Sequence, residues 1–176
     1  MKIIAFAGSN SSKSINKKLV TYASSLFNNA EVEILDLRDY QAPLFSVDVE
    51  KEIGQAEEAL AFLEKLKSAD MLLISLAENN GNYSTAFKNL FDWCSRIEKD
   101  VFQKKPTLLM ATSPGGRGGK GVLEIAQANL PRFGADIKAV FSLPSFNDNF
   151  DVENNTISNE ELNEELKDII HNFNKD

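Results

Sequence analysis

Between residues 8 and 16 the chain reads Gly8-Ser9-Asn10-Ser11-Ser12-Lys13-Ser14-Ile15-Asn16, with four hydroxyls, two side-chain amides and one ammonium in nine positions. An apolar run precedes this segment, and apolar residues at helical spacing follow from Ile15. At such a strand-to-helix turn the first N–H groups of the helix lack partners and carry partial positive charge, so the chemistry on offer is anion binding. Serine hydroxyls complete the oxygen shell of a phosphate without adding charge. The segment matches neither G-x-x-x-x-G-K-[ST] nor G-x-G-x-x-G, which disfavours a nucleoside triphosphate and a Rossmann dinucleotide. An ordinary helix cap uses the same residue types, so taken alone this loop leaves both readings open.

Two later segments have the make-up of a site for a flat ring. Ala77-Glu78-Asn79-Asn80-Gly81-Asn82-Tyr83 offers close backbone approach at Gly81 and amides that both donate and accept, as the pyrimidine edge of an isoalloxazine requires. Ser113-Pro114-Gly115-Gly116-Arg117-Gly118-Gly119 has four glycines in seven positions, which lets main chain lie against a planar ligand. Gly118 and Gly119 also lead into a helix whose N–H groups would stabilise negative charge developing on a reduced ring. Two flexible surface turns would look the same from spacing alone.

A frame must bring these loops together. Met1 to Phe6, Glu31 to Leu37, Met71 to Leu76, Pro106 to Thr112 and Ile137 to Phe141 read as strands. Helical spacing is seen from Ile15 to Leu26, from Ala56 to Leu66, from Ser84 to Ile97 and up to about Leu130. Ala42 to Gly54 and Asn147 to Asn159 read as loops, and Ser158 with Glu161 forms a capping box for a last helix. Strict alternation of five strands and five helices implies an α/β domain, a parallel sheet with helices on both faces. Ligands of such sheets bind beyond the carboxyl ends of the strands, where all three loops fall.

The 176 residues, 43% hydrophobic, are expected to form a single domain spanning 1–176. A net charge of −7 opposes nucleic acid and anionic membrane surfaces, which leaves a small molecule as the expected partner. The apolar start is too short for a signal peptide and no segment is long enough to span a membrane. Cys94 is the only cysteine, so no intramolecular disulfide and no cysteine metal cage can form, and a cytoplasmic location is expected.

Together these segments resemble the NADPH-dependent FMN reductase family, which includes quinone, azo-dye and chromate reductases. The family loop G-S-x-R-x-x-S-x-N is matched from Gly8 to Asn16 except at the arginine, which is Ser11 here. P-E-Y-N-G is matched by Ala77-Glu78-Asn79-Asn80-Gly81 except at the proline and the tyrosine, which are Ala77 and Asn79 here, and a helix of the type A-L-K-N-x-x-D-W follows as Ala86-Phe87-Lys88-Asn89-Leu90-Phe91-Asp92-Trp93. The resemblance implies a flavodoxin-like three-layer sandwich with sheet order 2-1-3-4-5. It implies FMN as cofactor, NADPH or NADH as co-substrate, and hydride passing through flavin N5 to a flavin, quinone or similar acceptor with ping-pong kinetics. Ser9, Ser14 and Asn16 would hold the phosphate, beside Ser11, Ile15 and Lys13, the one nearby cation. Glu78, Asn79, Asn80 and Gly81 would line one side of the ring, and Ser113, Pro114, Gly115, Gly116 and Gly119 the other. Arg117 would meet the nicotinamide phosphate or a neighbouring subunit. The flavin carries the chemistry, so no catalytic side chain is expected. An FMN electron carrier for protein partners and a binding module that has lost flavin are the alternatives.

Three tempting features are set aside. His171 sits near the end of the last helix, where a cation suits the helix dipole. Cys94 shares a helix face with Phe87, Leu90 and Phe91 and reads as core. Asn147 to Glu160 lacks the glycine of a calcium loop, so no metal is expected. Trp93, with Ala86, Leu90 and Ile97, widens the apolar stripe of its helix, which suggests burial by a second subunit in a homodimer or else a helix tucked under its own loops, and the family resemblance implies a homodimer or homotetramer.

Overall fold

The computed structural model describes residues 1–173; the last three residues of the expected domain, 174–176, lie outside them. In chain order the elements are β1 (Lys2–Gly8), α1 (Ile15–Ser25), β2 (Glu31–Leu35), α2 (Val47–Ile53), α3 (Glu57–Lys67) and β3 (Met71–Leu76). A hairpin of β4 (Glu78–Asn79) and β5 (Asn82–Tyr83) leads to α4 (Thr85–Ile97), β6 (Pro106–Thr112), α5 (Lys120–Asn129) and β7 (Asp136–Leu143). The chain closes with α6 (Phe146–Asn149), a second hairpin of β8 (Phe150–Asp151) and β9 (Thr156–Ile157), and α7 (Glu160–Phe173). The main sheet is parallel in the order β2-β1-β3-β6-β7, which is 2-1-3-4-5 when only its own strands are counted.

Side chains alternate across the sheet and divide the core in two. Ile3, Ala5, Met71, Leu73, Leu108 and Met110 face α1 and α7, while Ile4, Phe6, Leu72, Ile74, Leu109 and Ala111 face α3, α4 and α5. The order reverses at β1, between β2 and β3, and the carboxyl ends of β1, β3 and β6 lie side by side there.

Asn147 to Asn159, read from the sequence as a loop, holds most of α6 and the β8–β9 hairpin, and four further sequence expectations are corrected. Ala42 to Gly54 is not all loop: α2 forms within it, with the Ser46 hydroxyl capping Val49 N–H and Gly54 closing it at φ 76°. It buries no residue, so no apolar stripe announces it. Ala77 to Tyr83 is not an open loop. Asn80 and Gly81, at φ 52° and 74°, form the two-residue turn of a hairpin, a conformation that Asn-Gly adopts readily. The last helix is capped by Asn159, whose Oδ1 accepts from Leu162 N–H at 3.1 Å, and not by Ser158.

The fourth concerns Trp93, which is fully buried by its own chain. Its indole N–H donates to Pro43 O at 2.7 Å, and Phe45 packs edge-on against it with ring centres 5.1 Å apart. Asn89, one turn earlier, donates to Ala42 O and Pro43 O and accepts from Phe45 N–H. The wide stripe of α4 therefore serves as the seat of residues 42–45, which removes the sequence argument for a subunit contact there.

Candidate functional site

Ser9, Ser11 and Ser14 share one pattern. Their hydroxyl oxygens accept from Ser11 N–H, Lys13 N–H and Lys17 N–H at 3.2, 3.2 and 3.1 Å respectively. Each hydroxyl oxygen thus already accepts one backbone N–H, and each O–H remains uncommitted within the described residues. Ile15 and Asn16 open α1, where N–H groups have no intrahelical acceptor. Three hydroxyl donors and two backbone donors at one helix N-terminus form a cradle suited to phosphate, the geometry a bare cap would not need.

All six candidate residues of this loop, Ser9, Ser11, Lys13, Ser14, Ile15 and Asn16, line one cleft of about 220 Å³. Glu78 and Asn79 come to it from β4, and Ser113 and Pro114 from the loop after β6. The cleft also includes Ala77, the first residue of the second loop, and Thr112, which sequence reasoning passed over because it read as the last residue of a strand. Asn80 and Gly81 stand exposed at the hairpin tip and Gly115, Gly116 and Gly119 do not line this cleft.

Asn16 is differently placed from the serines. It is 3% exposed, its Oδ1 accepts from Thr112 N–H at 3.0 Å and from Ser75 Oγ at 2.8 Å, and its Nδ2 donates to Thr112 O at 3.1 Å. Its amide therefore joins the start of α1 to the ends of β3 and β6, leaving only its backbone N–H to the cradle.

Two lysines compete for the role of local cation. Lys17 forms an ion pair with Asp36. Asp36 also takes both Arg38 Nε and Nη2, at 3.0 and 2.6 Å, and the Arg38 guanidinium, helped by Lys17, holds this carboxyl far below the usual carboxylate range. Lys13 has no carboxylate partner among the described residues and borders the cleft. Lys13→Ala is accordingly expected to weaken phosphate-bearing ligands about three- to tenfold and to flatten the dependence of binding on salt. Fluorescence titration at two ionic strengths measures both effects.

The glycine-rich loop divides into two pairs. Around Gly115 and Gly116 a Cβ would meet nothing within 4 Å, so this stretch is bare and open to a ligand. Gly118 and Gly119 are glycines for internal reasons. At φ 58° a Cβ on Gly118 would lie 2.4 Å from Ser142 Oγ, and at φ 75° one on Gly119 would lie 2.7 Å from Ala111 Cβ. One N–H in the first turn of the helix after them is already taken, because Glu78 Oε2 accepts from Val122 N–H at 2.9 Å.

Beyond Asn79 a second cavity, of about 420 Å³, runs between Asn10, Tyr40, Leu44 and the start of α4. Tyr40, Gln41 and Leu44 were not singled out from the sequence, where they sit in a stretch without periodic pattern. Among the described residues no helix is long and apolar enough to cross a membrane.

A parallel sheet in this order, with an anion cradle at its carboxyl edge flanked by a hairpin and a glycine loop, defines a flavodoxin-like nucleotide-binding protein. The chain belongs to the NADPH-dependent FMN reductase family, whose model matches residues 1–148. It is 28% identical to the NADPH:quinone oxidoreductase of Arabidopsis thaliana, over 97% of this chain and 88% of that protein. It is 33% identical to the 2-hydroxy-1,4-benzoquinone reductase of a Burkholderia species, over 74% of this chain and 68% of that one. The fold resembles that of FerB, a flavoenzyme NAD(P)H:(acceptor) oxidoreductase from Paracoccus denitrificans, with a TM-score of 0.76, 21% identity and coverage of 98% and 94%.

Proposed function

We propose that this chain holds FMN by its phosphate at the start of α1 and works as an NAD(P)H-dependent oxidoreductase on small quinone-like acceptors. The observation that carries the reading is the set of three serine hydroxyls that each accept one backbone N–H and keep their O–H groups as donors at a helix N-terminus. Ser9, Ser11 and Ser14, with the N–H groups of Ile15 and Asn16 and the Lys13 ammonium, take the phosphate. Glu78 and Asn79 on one side and Ser113 and Pro114 on the other flank the ring, with the bare backbone of Gly115 and Gly116 beside them.

When bound, FMN supplies the hydride chemistry, so the residues are needed for orientation and not for proton transfer. The cavity between Asn79 and Tyr40 lies within the size range of small-molecule sites, about 300–1,000 Å³, and we assign it to the acceptor. A single cysteine, Cys94, buried and free, supports a cytoplasmic location. A homodimer or homotetramer now rests on an apolar strip, Leu44, Val47 and Ile53, that is 75%, 54% and 50% exposed; sedimentation checks it.

The test is anaerobic. Protein reconstituted with FMN and desalted is expected to keep its flavin absorption, to bleach on adding NADPH or NADH, and to recover colour when a benzoquinone follows. Retained flavin that never bleaches would identify an electron carrier, and flavin lost on desalting with no turnover would identify a binding module. Because the arginine of the family loop is Ser11 here, Ser11→Arg is expected to tighten FMN about five- to tenfold at low salt.

A further inference from the structure

The first turn of α5 lacks the usual features of a helix start. Gly119 at its N-cap has no side chain to offer, and no acidic residue occurs in the turn. The carboxylate it needs comes from another loop. Glu78, at the start of β4, reaches across to place Oε2 2.9 Å from Val122 N–H. Gly121 makes room for it: a Cβ there would lie 3.0 Å from Oε2 and 3.4 Å from Oε1. The carboxylate therefore lies along the opening turn of α5 while also bordering the cleft beside Asn79 and Ser113.

Resting on the FMN reading above, we propose that Glu78 is a positioning residue that clamps the two ring loops at fixed separation and cancels the positive end of α5 beside the flavin. The mechanical part follows from connectivity. Glu78 belongs to the β4–β5 hairpin and Val122 to the helix that continues the glycine loop, so the gap between them cannot widen without breaking this bond. The electrostatic part follows from the helix dipole, which otherwise places about half a positive charge at the N-terminus of α5. With Glu78 seated there, negative charge gained by the ring on reduction meets a carboxylate instead of a free helix end.

Three variants separate the two parts, each read by titrating apo-protein with oxidised FMN and by the reduction potential of the bound flavin. Glu78→Gln keeps an oxygen for Val122 N–H but loses the charge. It should bind oxidised FMN within about threefold of the parent while favouring reduced over oxidised FMN by about tenfold more, a rise of about 30 mV for a two-electron couple. Glu78→Ala loses the clamp as well and should weaken oxidised FMN about tenfold or more. Gly121→Ala leaves the charge and suits a helix better, yet it displaces Oε2. It should loosen FMN several-fold with no fall in apo-protein Tm, a result that a purely stabilising role for Glu78 does not give. Parent-like affinity and potential in all three variants would overturn the clamp while leaving FMN binding intact. A parent that takes up no FMN overturns both.

Discussion

Asn16→Ala is expected to lower the unfolding free energy by about 2–4 kcal/mol and to cost FMN binding far more than any single serine substitution. Asn16 Oδ1 and Nδ2 together satisfy the N–H and C=O of Thr112 and the hydroxyl of Ser75, in surroundings where Ser75 and Thr112 are 0% and 1% exposed. Alanine leaves these groups unpaired, and each unsatisfied buried group costs about 1–3 kcal/mol, reduced where cleft water can enter. The same bonds hold the start of α1 over the ends of β3 and β6, so the cradle loses its alignment as the stability falls. Asn16→Asp sharpens the test. Its second oxygen faces Thr112 O, so the charged form is disfavoured and the folded-state pKa lies above the unfolded value of about 3.9. The folded state then binds more protons, and the variant should be most stable near pH 4 and lose stability as pH rises toward 7. Denaturation at several pH values checks both variants.

Gly118→Ala should be nearly as damaging, by a different route. The new Cβ would stand 2.4 Å from Ser142 Oγ and 2.8 Å from Pro144 N, and the backbone at φ 58° is one that side chains with a Cβ rarely adopt. The hydroxyl can turn away, but Pro144 N is main chain and cannot. Overpacking plus the left-handed conformation add up to about 2–4 kcal/mol, read as a fall in Tm. Gly116→Ala is the control: its Cβ meets nothing within 4 Å, so stability should change by less than about 0.5 kcal/mol while flavin affinity drops if the ring lies there.

The sequence made the frame legible because the three inner strands, β1, β3 and β6, are buried on both faces. Ile3 to Ala7 and Met71 to Leu76 are apolar runs whose strand reading needs no partner information, and their alternation with helices fixes a parallel sheet. The phosphate loop was legible for a related reason: its hydroxyls act locally, on N–H groups two or three residues away. Long-range side-chain roles were not legible. Glu78 meets Val122 across 44 residues and Asn16 meets Thr112 across 96, and nothing in the local pattern of either residue says where its side chain ends. Trp93 misled for the same reason, since the cover for its face comes from residues 43–45, a stretch without periodicity. The Asn80-Gly81 turn could have been found, because Asn-Gly between short extended segments is itself a hairpin signal.

The central claim is that the serine cradle at the start of α1 takes the phosphate of FMN. Parallel titration of apo-protein with FMN and with riboflavin, which differs only in lacking that phosphate, tests it most directly. FMN is expected to bind at least about 100-fold more tightly, with the gap shrinking as salt is raised, since several charge-assisted hydrogen bonds are lost with the phosphate. Equal affinity for the two flavins, or no binding of either, would contradict the assignment.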